Sequence, residues 1–377
     1  AGIALGRDLV AALQGSQVAE HGFGTISVAL GEIGIVDIAT ARTETYAAPG
    51  ALPDVSYVND MRLDLARRDV SANALALPVA AVAVGARQSD IVDETGGVRD
   101  IASRTLRVMH DASFLDDPTR IFRVLRYLGE LDDFSLDAHS AGLLDAAVAA
   151  GALDTISPQR RANELRLTWQ SPRVAEVMRL LSERGVTTAL ELPQTLVPAF
   201  GERAGLLADT SLDVRERCTL SAATLARTFA TTADAERWFR AAELPGELMT
   251  AALAVSTLDR ACDNYERVPA SADSAQHRDA LLVAALAAPD KVVRLVVKLH
   301  PLVELAQVLD DRASLEPQLS GYDLRELGVP DGPMMGRILG MVAAARRGGM
   351  LTTVADEQRL VHELLALSAS NDEANKR

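Results

Sequence analysis

With 377 residues, the chain is too long for one ordinary core and should form two to four packed units. Hydrophobic residues make up 48% and charged residues 24%, a globular balance, and the lack of an apolar run of about 18 residues argues against a membrane-spanning helix. A formal charge of −14 excludes a surface coated in basic residues for nucleic acid, though not a local basic groove, and 4% aromatic residues exclude base recognition by many stacking platforms.

The opening AGIALGRDLVAAL lacks the basic start and cleavage site of a secretory leader. Residues 23–30 alternate, with Ile26, Val28 and Leu30 on one face; residues 31–34 turn the chain and 35–42 run back, which predicts a hairpin. Two prolines and a glycine within 47–60 predict an exposed loop. A helix is expected over 62–77, then a β-rich stretch through 79–84 and 91–92, and a turn at Gly96-Gly97.

Near residue 110 the pattern becomes helical. Asp116-Asp117-Pro118 reads as a helix start, a carboxylate cap with proline in the first turn, followed by the apolar stripe Ile121, Val124, Leu125 and Leu128. Ser157-Pro158 starts another helix in the same way. From about 175 onward Ala/Leu-rich helices continue, with breaks near Pro193, Pro245, 268–275 and 328–333, and a polar final segment expected to fray. Cys218 and Cys262 are too few for a disulfide framework or a four-ligand zinc site and read as core thiols, which suits a reducing cytoplasm. The fold class is α+β: a small mixed sheet followed by an all-α remainder.

Several polar groups could carry chemistry. Asp37 lies between Val36 and Ile38, so in a strand it points to the opposite face, either into a cleft where it could bind a metal or simply into solvent. Arg67-Arg68-Asp69, with Ser71 and Asn73, is a dense cluster whose arginines suit phosphate through bidentate hydrogen bonds; a capped helix with solvated charges is the plainer reading. Asp117 and Arg120, three apart at a helix start, share a face and could form an intrahelical salt bridge. They could also read a base. A carboxylate only accepts and a guanidinium only donates, which suits the amino group and ring acceptors of cytosine and adenine. Guanine and uracil would set a carbonyl oxygen against the acid, leaving costly unpaired polar groups. The His110-Asp111 doublet lacks further histidine ligands at helical spacing, and Arg346-Arg347-Gly348-Gly349 is either a solvated helix end or a contact for RNA phosphate.

The ordered series IVDIATARTETY, RRDVSANALAL, DETGGVRDI, DDPTRIFRVLRY and ISPQRRANEL resembles the motif set of class II tRNA nucleotidyltransferases (CCA-adding enzymes) and bacterial poly(A) polymerases over residues 20–170. LSGYDLRELGVPDGPMMGRIL, residues 319–339, resembles that family's tail. The resemblance implies a partial polymerase-beta-like head over 1–109, a helical neck with a base-templating motif over 110–178, a body over 179–290 and a tail over 291–377. Asp37 would be the third acid of the catalytic strands and a metal ligand. Arg68, Asp69 and Asn73 would meet the ribose and triphosphate, and Asp117 and Arg120 would template C and A. Arg123 and Arg126 would add nucleotide contacts, and Arg160 and Glu164 would support the pocket from the following helix.

The implied activity is tRNA 3′-end nucleotidyl transfer from CTP and ATP, with Mg²⁺ as cofactor and the tRNA acceptor end as partner, in the cytoplasm and without a stable protein partner. Poly(A) polymerase, or a non-catalytic RNA- or nucleotide-binding protein, is the alternative. The sequence departs from the family at Val70, where an aromatic is usual, and at Glu94, where proline is usual. Family members also carry a Gly-Gly turn and an Asp-x-Asp strand upstream; among residues 1–36 neither occurs. Two-metal transfer needs carboxylates that bridge both ions. Impaired catalysis is therefore expected of a chain with Asp37 alone, as are an unpaired sheet edge and exposed apolar surface in the head.

Overall fold

In the computed structural model, residues 2–13, 15–268 and 274–374 are described. They fall into two compact units, one of Ala1–Thr210 with Ala241–Leu244, the other of Ser211–Arg240 with Pro245–Arg377.

The first unit opens with helix α1 (Gly2–Ala12), which lies on an antiparallel sheet of β1 (Ser16–His21), β2 (Thr25–Ala29) and β3 (Ile35–Ala39), in that order. The expected hairpin is β2–β3, with Ser27 opposite Asp37 and Val28 opposite Val36. Its apolar face, Ile26, Val28 and Leu30, packs on Ile3 and Val10 of α1. Glycine at position 6 permits that approach, because a Cβ there would stand 2.4 Å from Ile26 Cγ2. The patterning missed α1 and β1. At the open edge of β3, Ile35 is 67% exposed.

Three expectations are corrected here. The segment 47–60 is not all loop, since β5 (Asp54–Tyr57) pairs with β4 (Arg42–Thr45), Pro53 standing just outside the ladder where its missing N–H costs nothing. The helix expected over 62–77 is only α2 (Met61–Ala66), capped by Asp60. It stops because Val70 turns extended to bridge Val108 and the Asp69 carboxylate takes the Val70 N–H, leaving a 3₁₀ turn at Ser71–Asn73. Residues 79–84 form a short helix, α3 (Val79–Ala83), not strand. Its valines have no pleated, half-buried surface to pack on, Val79 being 85% exposed, and alanine-rich sequence then favours helix. Val92 does bridge Ala76.

The Gly96-Gly97 turn is structural: Asp93 accepts from the backbone N–H of Thr95, Gly96, Gly97 and Val98 at the start of α4 (Gly97–Ala102). Beyond the short β6 (Thr105–Leu106) and α5 (Ser113–Asp116), α6 (Thr119–Glu130) buries Ile121, Val124 and Leu125 as the periodicity predicts, while Leu128 is half-buried. The strand β7 (Ser135–Leu136) pairs with β6, and α7 (Ala138–Ala149) follows. Next come α8 (Pro158–Trp169), capped by the Ser157 hydroxyl, and α9 (Val174–Glu183), which packs on α6.

Every regular element among the described residues of the second unit is a helix. Cys218 and Cys262 are buried free thiols. The break expected at 268–275 falls largely on 269–273, outside the described residues, and the final helix Val354–Ala374 runs further than the expected fraying, leaving only 375–377 outside. The Arg346-Arg347 pair is not a solvated helix end. The Arg346 side chain is 2% exposed and ion-paired to Glu357, which also accepts from the N–H groups of Gln318 and Leu319. Arg347 pairs with Asp279.

His300 joins two elements of this unit. Its Nε2 lies 2.8 Å from Asp259 and its Nδ1 2.9 Å from Glu266, both on the helix Gly246–Glu266. Carboxylates only accept, so both ring nitrogens donate and the ring is a cation. The Asp259 hydrogen bond, opposed by burial, raises its pKa above the ordinary histidine value. A raised folded-state pKa contributes stability that is fully present below the unfolded value and lost as pH rises through the folded one. His300→Gln is therefore expected to lower the melting temperature clearly at pH 5.5 and by much less at pH 9. An equal loss at both, by calorimetry, would rule out the imidazolium.

Candidate functional site

A cleft of about 290 Å³ opens in the first unit between the β1–β2 turn, β4 with the segment 46–53 that follows it, the segment after α2 and the starts of α6 and α8. Six arginines line it (42, 67, 68, 120, 123 and 160) against three carboxylates, Glu44, Asp69 and Asp117. On a chain of formal charge −14 this is a local cationic basin, suited to a polyphosphate.

The arginines are held by a network that the sequence reading missed in part. Asp64, 3% exposed, accepts from the Arg42 backbone N–H at 3.1 Å, from Arg67 at 2.7 Å and from Arg68 at 2.8 Å. Burial works to raise its carboxyl; the hydrogen bonds of Arg67 and Arg68 outweigh that and hold it below the usual range. Glu44 joins Arg42 and Arg67 at 2.8 and 2.9 Å. The alternation of ARTETY puts Arg42 and Glu44 on one strand face and could have flagged them, and Arg67 and Arg68 at three and four residues beyond Asp64 could have flagged that acid. The Nε of Arg68 is buried without a hydrogen-bond partner among the described residues.

Asp69, also 3% exposed, accepts from Asn73 at 3.2 Å, Arg123 at 2.8 Å and the Tyr127 hydroxyl at 3.1 Å. Asn73 thus acts through Asp69 and does not line the cleft. Asp117 Oδ1 takes the Thr119 N–H and hydroxyl and Arg160 Nη2, the last at 2.6 Å. Arg160 Nη1 also donates to the Gly50 carbonyl at 2.8 Å. Arg120, 3% exposed, donates to the Ser113 hydroxyl at 2.7 Å and the Arg67 carbonyl at 2.9 Å. It does not pair with Asp117, so the simple intrahelical salt bridge is not what forms. Two of Arg120's five N–H donors are anchored, which fixes its direction, and Asp117 Oδ2 is engaged by no described residue.

Arg126 and Glu164 lie outside the cleft lining. Arg126 packs 5.1 Å from the Tyr127 ring centroid and pairs with Glu130 at 3.7 Å. Glu164 has one carboxylate oxygen buried without a hydrogen-bond partner among the described residues. Burial, against the pull of Arg123 and Arg126, pushes its carboxyl up to about 6. A raised carboxyl costs stability once charged: the penalty is absent below the ordinary value of 4.5 and complete above about 6. Glu164→Gln is accordingly expected to stabilise the fold by about 1–2 kcal/mol at pH 7.5 and hardly at all at pH 4, read from denaturant midpoints at the two pH values. A loss of stability at pH 7.5 would show that its charge is favoured there.

Asp37 is exposed and accepts from the Ser27 hydroxyl at 2.5 Å, which His21 Nε2 approaches at 2.7 Å; it is not part of the cleft lining. Among the described residues Asp259, Asp263 and His300 of the second unit are the one set of acids and histidine close enough to hold a metal, and Asp37 belongs to no such set. Arg227 binds both of those aspartates and His300 bridges onto them, so the set is an ion-pair network. The described residues therefore do not make a two-ion site. Asp111 of the histidine-aspartate doublet meets His139 at 2.8 Å on the surface.

Comparison with known proteins gives three kinds of likeness. Residues 4–107 match the poly A polymerase head domain. The chain is 34% identical over 192 residues to an A-adding tRNA nucleotidyltransferase of Geobacter sulfurreducens, covering 51% of this chain and 21% of that protein. It is 38% identical over 158 residues to the A-adding tRNA nucleotidyltransferase of Aquifex aeolicus (42% and 18%), and 36% identical over 169 residues to the multifunctional CCA protein of Variovorax paradoxus (42% and 39%). The chain thus spans well under half the length of these curated relatives. Among solved structures, a CCA-adding enzyme in its apo form II superposes with a TM-score of 0.67 at 21% identity, covering 97% of this chain and 85% of that one. At that identity the likeness shows the fold.

Proposed function

We propose that the chain is a member of the class II tRNA nucleotidyltransferase and bacterial poly(A) polymerase family and that its arginine-lined cleft selects CTP and ATP for addition to a tRNA 3′ end. One observation carries this reading: Asp117 and Arg120 line the same cleft, each pinned by its own anchors, with acceptor and donor capacity still open. A fixed acceptor beside a fixed donor matches the edges of cytosine and adenine and mismatches guanine and uracil. Arg68 would take the triphosphate, and Asp69 would receive the ribose while holding Arg123 in place. The division into head, neck, body and tail belongs to the same proposal. So do Mg²⁺ as the ion of the complete reaction, a cytoplasmic setting and contact of the helical part with the acceptor arm by shape and phosphate.

A-addition alone is the second reading, favoured by the names of the relatives from Geobacter and Aquifex. Calorimetric titration of the chain with CTP, ATP, GTP and UTP separates the cases. Binding of CTP and ATP in preference to the other two is expected. Binding of ATP alone would favour the second reading, and binding of none, or of all four alike, would overturn the templating role of Asp117 and Arg120.

A further inference from the structure

The turn between β1 and β2 contains a bulky residue in a costly conformation. Phe23 has φ of 60° and Gly24 of 72°. Left-handed backbone suits glycine, and a bulky side chain there is strained. The other described non-glycine residues with positive φ, Arg104, Asp133, Glu191 and Glu243, are all polar. Burial does not repay the strain at Phe23, which remains 43% exposed. Its neighbours fix it all the same: Arg42 donates to the Phe23 carbonyl at 3.2 Å and lies 5.1 Å from the ring centroid. A Cβ on Gly24 would press on the Tyr57 hydroxyl at 3.0 Å, so the turn is closely seated.

Phe23 lines the same cleft as Arg68, Asp117 and Arg120. So does Leu52, which is 66% exposed. An otherwise guanidinium-rich cleft thus carries an apolar wall in which Phe23 and Leu52 are exposed, while Tyr46 and Pro53, which also line it, are half-buried. A triphosphate has no use for such a wall, whereas a flat base does, since every base has a face to stack. We propose that Phe23 is the stacking platform for the base of the bound nucleotide, held ready by Arg42, with Leu52 extending the apolar surface. This rests on the nucleotide reading of the cleft and adds a division of labour. Asp117 and Arg120 choose the base by its edge, and Phe23 holds any base by its face.

The test uses ATP and inorganic tripolyphosphate as separate calorimetric probes on the full chain. Phe23→Leu is expected to weaken ATP about tenfold while leaving tripolyphosphate unchanged, and Phe23→Trp to keep ATP affinity. Phe23→Gly relieves the backbone strain, so it should raise the melting temperature yet still lose ATP, a pairing that a merely structural residue would not give. Unchanged ATP affinity in Phe23→Leu, or equal losses of both ligands, would overturn the stacking role. A wild-type chain that binds tripolyphosphate and ATP equally well would also overturn it. Wild-type binding of neither probe would sink the nucleotide reading of the cleft and this inference with it.

Discussion

Glu357→Ala is expected to destabilise the second unit by about 3–5 kcal/mol, the cost of leaving a buried guanidinium uncompensated. Glu357 is fully buried and its partner Arg346 nearly so. The carboxylate has three tasks: it balances Arg346 and accepts the N–H groups of Gln318 and Leu319, which precede the helix Gly321–Glu326. Replacing both charges by apolar residues, Arg346→Met with Glu357→Leu, removes the unpaired charge but still strands the two backbone donors, each worth about 1–3 kcal/mol. The double variant should therefore recover part of the loss and not all of it. Urea unfolding of the single and double variants measures this directly. Full recovery would mean that the backbone donors find other partners, and a single-variant loss below about 1 kcal/mol would mean that Arg346 reaches water.

Asp117→Asn should change which nucleotide binds. The substitution replaces an acceptor that cannot donate with an amide that can do either, and it weakens the grip of Arg160, 2.6 Å away. CTP and ATP are expected to bind about tenfold more weakly, and the margin over GTP and UTP to shrink or invert, because an amide can donate to their carbonyl oxygens. The fold should survive, since Asn keeps the carbonyl oxygen that receives the Thr119 N–H. Titration with the four nucleotides gives the answer: an unchanged order of affinities would remove Asp117 from base selection.

Much of the fold was legible because it is set locally. The β2–β3 hairpin follows from strict alternation around a glycine turn, α6 follows from its apolar stripe, and α8 from a serine cap with proline in the first turn. The misreadings came where tertiary pairing overrode local preference. Val70 leaves the α2 helix to bridge Val108, and 54–57 becomes strand only because β4 lies beside it. Residues 79–84 look β-forming yet have no sheet to join.

The candidate site divides along the same line. The sequence by itself determined the polar inventory: Arg68, Asp69, Asp117, Arg120, Arg123 and Arg160, recognisable as an ordered motif series. Only the tertiary structure decided which of these line one cleft, that Asn73 works through Asp69, and that Asp37, Arg126 and Glu164 stand outside it. It also decided that Arg120 anchors to Ser113 and the Arg67 carbonyl rather than to Asp117. The physical reason is range. Periodicity and capping act over a few residues, whereas Arg120 meets Arg67 across 53 residues, Arg160 meets Gly50 across 110, and the Arg42 backbone N–H reaches the buried Asp64 across 22.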